Sequence, residues 1–495
     1  MRKQCKRRPE PGCLFSLFGA FMVKNDVFFP KNPQFSPFSR KKTPAAWGTL
    51  NAHDPSLLET EGAFYAFSTG NNGQDNYQIR RSPDLVHWQY VGQAFPDPAA
   101  LWPVFAQLGA VYGKPVENTT LWAPDVVPAA GGGFWLYGCY TAVFGNNYSV
   151  MFLAHSPRPC GPYRYVAALA VSGGNWGKTP NAIDPQIFYD RSGRMFCAYG
   201  SFFGGIRVLE LNPATGVRLD GFTFEEYRAG KISERQYYGE KLLDSDDAEG
   251  SVVAFRRGVP VYPRVPIGEP MPAPQCKDFY YLMASRGSLF RDYTMRLWRS
   301  SAPAEGFAAG EYGRSGKKLS GSCTWRRSPA EEGFDFFAPG HNDIFRTSDG
   351  RELLVYHNRT AFGEGWPHYL FLGLAAYNGD GDLVFSLNRY AGERLRRIER
   401  EELAGKAFDY ILLNEDDETP VYARGGLCLR EDGVMTLGGA AQGRWRLFGE
   451  YCVDIEWGGS LFRGAAMPAW LEREGRAGIT ISLLGRFPLF LNQTF

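Results

Sequence analysis

Long helix-period stretches are scarce in this chain, and beyond the first 23 residues no segment is long and apolar enough to span a bilayer, so a helical membrane protein is excluded. Nine cysteines are scattered without a CxxC pair, and their odd number argues against a disulfide framework; they are expected to be free thiols filling the core. Neither charge dominates. With 54 basic and 52 acidic residues the net charge is +2, and nothing asks for nucleic acid or an anionic membrane as partner. No GxSxG elbow or HExxH pair is present, which makes serine and zinc hydrolases poor readings. Phosphate chemistry would want a Gly-rich nucleotide loop or a Lys/Arg clamp, and neither is evident.

What the chain does have is aromatics (15%), 58 glycines and 33 prolines, the composition of many short strands joined by tight turns. A length of 495 residues exceeds one ordinary core and predicts two domains. The N-terminus is ambiguous. A basic stretch, "MRKQCKRRPEP", precedes a short apolar run, "GCLFSLFGAFMV", of signal-peptide length, but no small-x-small cleavage site follows; an export signal and a disordered extension both stay open for residues 1–44.

An internal repeat organises the rest. "NAHDPSLLETEGAFYAFSTG", "LWAPDVVPAAGGGFWLYGCY", "NAIDPQIFYDRSGRMFCAYG", "DAEGSVVAFRRG" and "GHNDIFRTSDGRELLVYHNR" share one pattern: a polar residue, a short strand, a turn, then an aromatic-rich strand. In the fourth copy a Pro-rich insertion, Pro260 to Gln275, delays the second strand. Five such units predict an all-β, five-bladed β-propeller over residues 45–400. The same end of every inner strand then meets at one rim, so Asp54, Asp125, Asp184, Glu249 and His341 are expected to converge although they lie far apart in sequence. A single Asp-Pro is usually a turn or a cap; five polar residues in register point to a site.

Two carboxylates flanking one pocket are the minimal equipment for glycoside hydrolysis, one protonating the leaving oxygen and the other activating water or attacking carbon. A third nearby raises the acid's pKa, because like charges in a confined site resist joint ionisation. Aromatics expected near the rim (Trp122, Phe144, Trp176, Phe202, Phe203) suit the C–H faces of sugars.

The phrases "NAHDPS", "LWAPDV", "NAIDPQIFYD", "YGSFFGGI", "AEGS" and "GHNDIF…YHNR", in that order and one region per blade, resemble the family 43 glycoside hydrolases, in particular the endo-1,5-α-L-arabinanases. The resemblance implies inverting, endo-acting hydrolysis of arabinan. Asp54 would be the general base, Glu249 the general acid, and Asp184 the residue that tunes and orients that acid. It also implies substrate contacts from Asn181, Ala182, Ile183, Gly200, Ser201 and Phe202, with Trp122 and Gly145 lining the same cleft. His341 would stand beside a metal ion on the channel axis, expected to be calcium and mostly water-ligated. Asp125 is expected to buttress a strand start rather than react, His53 to be structural or at the rim, and His357 and His368 carry no role. Two departures, Ser251 where the family usually has proline and the insertion after Arg257, put the subsite pattern in question; the insertion is expected to reshape a cleft wall. An exo-acting α-L-arabinofuranosidase or β-xylosidase on the same scaffold is the alternative, and a non-catalytic sugar-binding propeller the alternative of another class. A monomer is expected; a polymer substrate favours an extracellular location, while the odd thiol count and missing cleavage site argue against export and leave a cytoplasmic one open.

From about residue 405 to 495 the blade pattern gives way to alternating strands and Gly-rich turns resembling the small β-barrel of longer arabinanases, expected to pack against the propeller. The closing "GRFPLFLNQTF" lacks an obvious closing strand, so the barrel is expected to be one strand short, with an exposed edge.

Overall fold

The structure, a computed structural model, describes residues 48–70, 76–118, 120–174, 179–244, 246–308, 310–360 and 368–495; the N-terminal extension and Trp176 lie outside them. Five sheets follow one another along the chain, each with a core of four consecutive antiparallel strands. The first blade is Ser56–Thr60, Ala63–Ser68, Gln78–Ser82 and Gln89–Gln93, and the second Trp122–Pro128, Phe134–Thr141, Ser149–Ser156 and Arg164–Ser172. The third is Gln186–Tyr189, Met195–Tyr199, Ile206–Leu211 and Glu240–Leu243, and the fourth Ala248–Val261, Gln275–Arg286, Thr294–Ser300 and Lys317–Lys318. The fifth blade, Asp335–Arg346, Glu352–Arg359, Tyr369–Tyr377 and Leu383–Phe385, gains two short strands, Cys323–Thr324 and Val421–Tyr422, on its inner side.

Local chemistry explains the hairpins. Glu61 and Gly62 both have positive φ, as a two-residue type I′ turn requires, and Thr60 pairs with Ala63 across it. In the third blade the Asp190 carboxylate accepts from the backbone N–H groups of Ser192 and Arg194 and closes the turn. Second strands such as Phe134–Thr141 and Glu352–Arg359 are buried along their whole length, because blades stack face to face and leave neither side of the strand in water. Apolar clusters accordingly run between blades, one joining blades one to three and another joining blades one, four and five to the barrel. No disulfide joins the cysteines among the described residues, and four of them are buried. Among the described residues no helix is long and apolar enough to cross a membrane.

The C-terminal barrel is closed, which corrects the expectation of a missing strand. Pro488–Gln493 pairs on one side with Arg476–Leu484 and on the other with the first barrel strand, Lys406–Leu412. Proline is tolerated as the opening residue of a strand, and Leu489 and Leu491 behind it are wholly buried in the barrel core.

The Pro-rich insertion is corrected as well: it docks the barrel and lines no part of the cleft. Its Val265 and Pro266 carbonyls accept from Arg446, its Tyr262 carbonyl accepts from Arg463, and its Tyr262 N–H donates to Gly379 in the last blade. Both arginines belong to the barrel and share one carboxylate there, Asp454, which is wholly buried; Arg463 also reaches Asp380 of the fifth blade at 2.7 Å. Removing one member of such a network leaves charges buried without partners. Asp454→Ala is therefore expected to lower unfolding stability by about 3–5 kcal/mol, measured by urea denaturation, with the barrel loosening from the propeller.

Candidate active site

Every blade starts its inner strand in the same unusual way. Asp54, Ala123, Asp184, Gly250 and His341 have φ of 50, 42, 57, 57 and 47°, in the left-handed region that side-chain-bearing residues rarely occupy. In blades two, four and five this residue coincides with a bulge in the pairing, and in blades one and three the ladder begins two residues after it. The kink places Asp54, Asp184 and His341 on the wall of one cavity. At Gly250 a side chain has no room, since a Cβ would sit 2.9 Å from the His341 ring, and the residue before it, Glu249, supplies the carboxylate instead.

The second blade departs from the expected register. Its member of the ring is Ala123, and Asp125 lies two residues further on, past the bulge and off the cavity wall. There Asp125 accepts from the Ile187 N–H of the next blade at 2.6 Å; Gln186 does the same for Val253 at 2.9 Å, and Asp343 for Leu57 at 3.3 Å. These side chains form a second ring that ties neighbouring inner strands together. Burial pushes Asp125 up to about 7, helped by the Asp343 carboxylate, and Asp343 up to about 6.

The cavity encloses about 950 Å³. Asp54, Asp184, Glu249, Trp122, Gly145, Asn181, Ile183, Ser201, Phe202 and His341 line it, together with Phe144 and Phe203. Ala182 and Gly200 do not. Ala182 is wholly buried behind the wall with its N–H given to Ser172, and at Gly200 a Cβ would meet the Gly205 carbonyl at 2.6 Å.

Asp54 sits among three imidazoles. His341 Nδ1 is 2.9 Å from Oδ1, His53 Nδ1 is 2.9 Å from Oδ2, and the Asp54 N–H donates to His357 Nδ1 at 3.2 Å. Thr69 Oγ1 donates to Oδ2 at 2.5 Å while accepting from the Ala123 N–H, so one hydroxyl couples blades one and two. Burial works to raise the pKa of Asp54, but the charge and hydrogen bonds of His341, with help from His53 and His357, hold it well below the usual carboxylate range. His341 itself is opposed by burial yet raised to about 9 by Asp54, Asp184 and Glu249. Burial takes His357 down to about 3, so it is neutral, with Nδ1 accepting and the proton on Nε2.

The other pair of acids behaves oppositely. Ser201 Oγ donates to Glu249 Oε2 at 2.7 Å, and Tyr293 hydrogen-bonds the same carboxyl group. Asp184 Oδ2 accepts from the N–H of Gly250, the residue next to Glu249, at 3.2 Å. Burial raises both pKa values, Asp184 to about 7, and the Glu249 charge adds to the rise at Asp184. They titrate as a pair, and near neutrality the pair does not carry two full charges. Thr69 closes the first repeat phrase without standing out in it, and Tyr293 and the Gly287–Phe290 segment of the wall belong to no motif.

Two metal sites can be tested against these residues. His53, His357 and His368 bring ring nitrogens within 4.8 Å of one another. An ion must lie near the plane of each imidazole it binds, and the His53 and His357 rings are stacked 4.4 Å apart with 15° between planes, so no single point serves both. The trio is a packed support for Asp54. At His341, calcium would want six to eight oxygens. The nearby carboxylates are those engaged above, so an ion there would be held by one imidazole and drawn otherwise from water.

The His341–Asp54 pair has a pH signature. With a folded pKa of about 9 against about 6.5 unfolded, it contributes stability fully below pH 6.5 and loses it as pH rises through 9. The melting temperature is expected to fall between pH 6.5 and 9.5, and His341→Gln to flatten that fall, as followed by thermal denaturation in matched buffers.

Residues 48–238 match the family described as glycosyl hydrolases family 43, and residues 387–489 match a C-terminal lipocalin-like domain. The chain is similar to the extracellular endo-α-(1→5)-L-arabinanase 2 of Bacillus subtilis strain 168, 29% identical over 507 residues that cover 95% of this chain and 96% of the relative. It is 27% identical over 457 residues to the extracellular endo-α-(1→5)-L-arabinanase of Thermotoga petrophila, covering 84% and 88%. The crystal structure of endo-1,5-α-L-arabinanase from Thermotoga petrophila RKU-1 aligns with a TM-score of 0.72 at 25% identity, over 91% of this chain and 99% of that one. Propeller and barrel agree with these likenesses, and the chain carries a glycoside hydrolase family 43 domain.

Proposed function

We propose that this enzyme hydrolyses α-1,5-linked arabinan internally and with inversion at the anomeric carbon. The observation that carries the reading is the split ionisation around one cavity: Asp54 is held as a carboxylate, while Glu249 is pushed toward its protonated form. Glycoside hydrolysis of either stereochemistry needs that division, and the likeness to family 43 is what favours inversion. Asp54 takes a proton from a water molecule as the water oxygen bonds to the anomeric carbon, and Glu249 gives its proton to the leaving glycosidic oxygen as that bond breaks. Ser201 and Tyr293 fix the acid in place, and Asp184 keeps a like charge near it and anchors the backbone beside it. Trp122, Phe144 and Phe202 offer apolar faces to the sugar. Calcium enters this reading only as a water-ligated ion at His341, and no step passes through it. The names of the two relatives, both extracellular arabinanases acting on 1,5 linkages, support the substrate and a secreted location.

Linear arabinan should yield a ladder of oligosaccharides, with the inverted anomer in the fresh product by NMR. Arabinose released alone would reject the endo reading, and promote an exo-acting arabinofuranosidase. Glu249→Ala and Asp54→Ala should each remove nearly all turnover, Asp54→Ala while largely keeping substrate binding by calorimetry. Unchanged turnover in Glu249→Ala would overturn the assignment of the acid.

Asp184→Asn separates tuning from chemistry. It removes a negative neighbour that helps keep Glu249 protonated, so the basic limb of the pH–rate profile should move to lower pH and kcat at neutral pH should drop. Aryl glycosides with good leaving groups need less protonation and should suffer less. Equal losses on both substrates with an unmoved profile would reassign Asp184 to substrate positioning.

A further inference from the structure

The loops joining the second and third strands of the blades form the mouth of the cavity, and two of them meet. Phe144, on the loop of blade two, and Phe290, on that of blade four, contact edge to face with ring centroids 6.0 Å apart. Blade three stands between these blades, so the contact spans its sector of the mouth. Trp122 extends the row, lying 6.0 Å from Phe144. All three rings line the cavity, yet Phe144 is 59% and Phe290 45% exposed. Exposure on this scale is unusual for phenylalanine, and both rings are held out by ordered turns. Ser288 N–H donates to the Asp292 carboxylate at 2.7 Å, the Arg291 N–H donates to the Ser288 carbonyl, and the Leu289 carbonyl accepts from Arg359 of blade five at 2.6 Å. On the other loop the Tyr148 N–H donates to Asn146 at 2.9 Å. The turns are fastened while the ring-to-ring contact is weak, about 0.5–1.5 kcal/mol for an aromatic pair, less than a sugar stacked on either face can replace.

We infer that Phe144 and Phe290 form an aromatic gate across the blade-three side of the cleft, and that Phe290 sets how far a glycan chain extends past the catalytic carboxylates. Shut, the gate bounds a pocket that favours short chains, whose sugars it contacts. Parted, it lets a polymer lie across the cleft. The inference rests on the arabinanase reading and refines it by naming what decides product length.

The test compares kcat/KM on linear arabinan with that on arabinotriose, together with the early product distribution, for wild type, Phe290→Ala and Phe290→Tyr. Phe290→Ala should raise the polymer-to-trisaccharide ratio at least fivefold, through a higher KM for the trisaccharide, and shift early products to longer chains. Phe290→Tyr, which keeps the ring, should retain the wild-type ratio. A ratio within twofold of wild type in Phe290→Ala, or an equal change in Phe290→Tyr, would overturn the gate while leaving the function intact. A wild type inactive on both substrates would overturn the substrate assignment, and this inference with it.

Discussion

A left-handed residue at the entrance of every inner strand is the constraint from which the site follows. A side chain at positive φ costs about 1–3 kcal/mol where it is not glycine, and four of the five positions carry one. The strain persists because each strand is gripped just below the kink. Asp125, Gln186 and Asp343 each take a backbone N–H from the neighbouring blade, and Thr69 bridges Asp54 to the Ala123 N–H. The kink turns three polar side chains out of the strand pleat and toward the axis. Without it they would follow the alternation of a strand and lie against the adjacent blade.

Once collected, the charges sort themselves. Four ionisable groups share a volume that water enters poorly, and burial alone would neutralise every acid. His341 prevents this for Asp54 because its ring nitrogen meets the carboxylate directly. Glu249 has hydroxyl partners instead, from Ser201 and Tyr293, which orient it without supplying a positive charge. One cation, placed against one of three acids, is enough to give two chemically similar carboxyl groups different protonation states.

Much of this was legible in the residues, because the repeated phrases mark both the blades and the mouth of each strand. The misreading of the second blade shows the limit. "LWAPDV" aligns by its acid, whereas the true register is set by Ala123, an alanine in a conformation that no composition rule assigns to it. Past the bulge at Ala123 the Asp125 carboxylate turns to the Ile187 N–H of the next blade and leaves the cavity wall. The closing barrel strand was hidden because its proline reads as a breaker until its place at the strand's first residue is known. Thr69, Tyr293 and Phe290 could not be found at all: each acts through a partner more than a dozen residues away, and only the ring of blades sets those distances.

The ring itself has an end and a beginning. Among the described residues the first blade is built from consecutive chain and the fifth takes in only Val421–Tyr422 from beyond it, so these two blades exchange no strand. They meet through the Leu57 N–H on Asp343, the Asp54 N–H on His357, the Ser348 N–H and hydroxyl on Glu59, the Leu370 N–H on Thr49, a bridge from Leu50 to Tyr369 and a shared apolar cluster. This seam runs through the backbone of the residue assigned as base. A slight parting there would withdraw the Asp54 amide from its imidazole and Oδ1 from His341 together, while the strand pairing within each of the five sheets is kept. The clasp of the ring and the ionisation of its base thus share the same contacts.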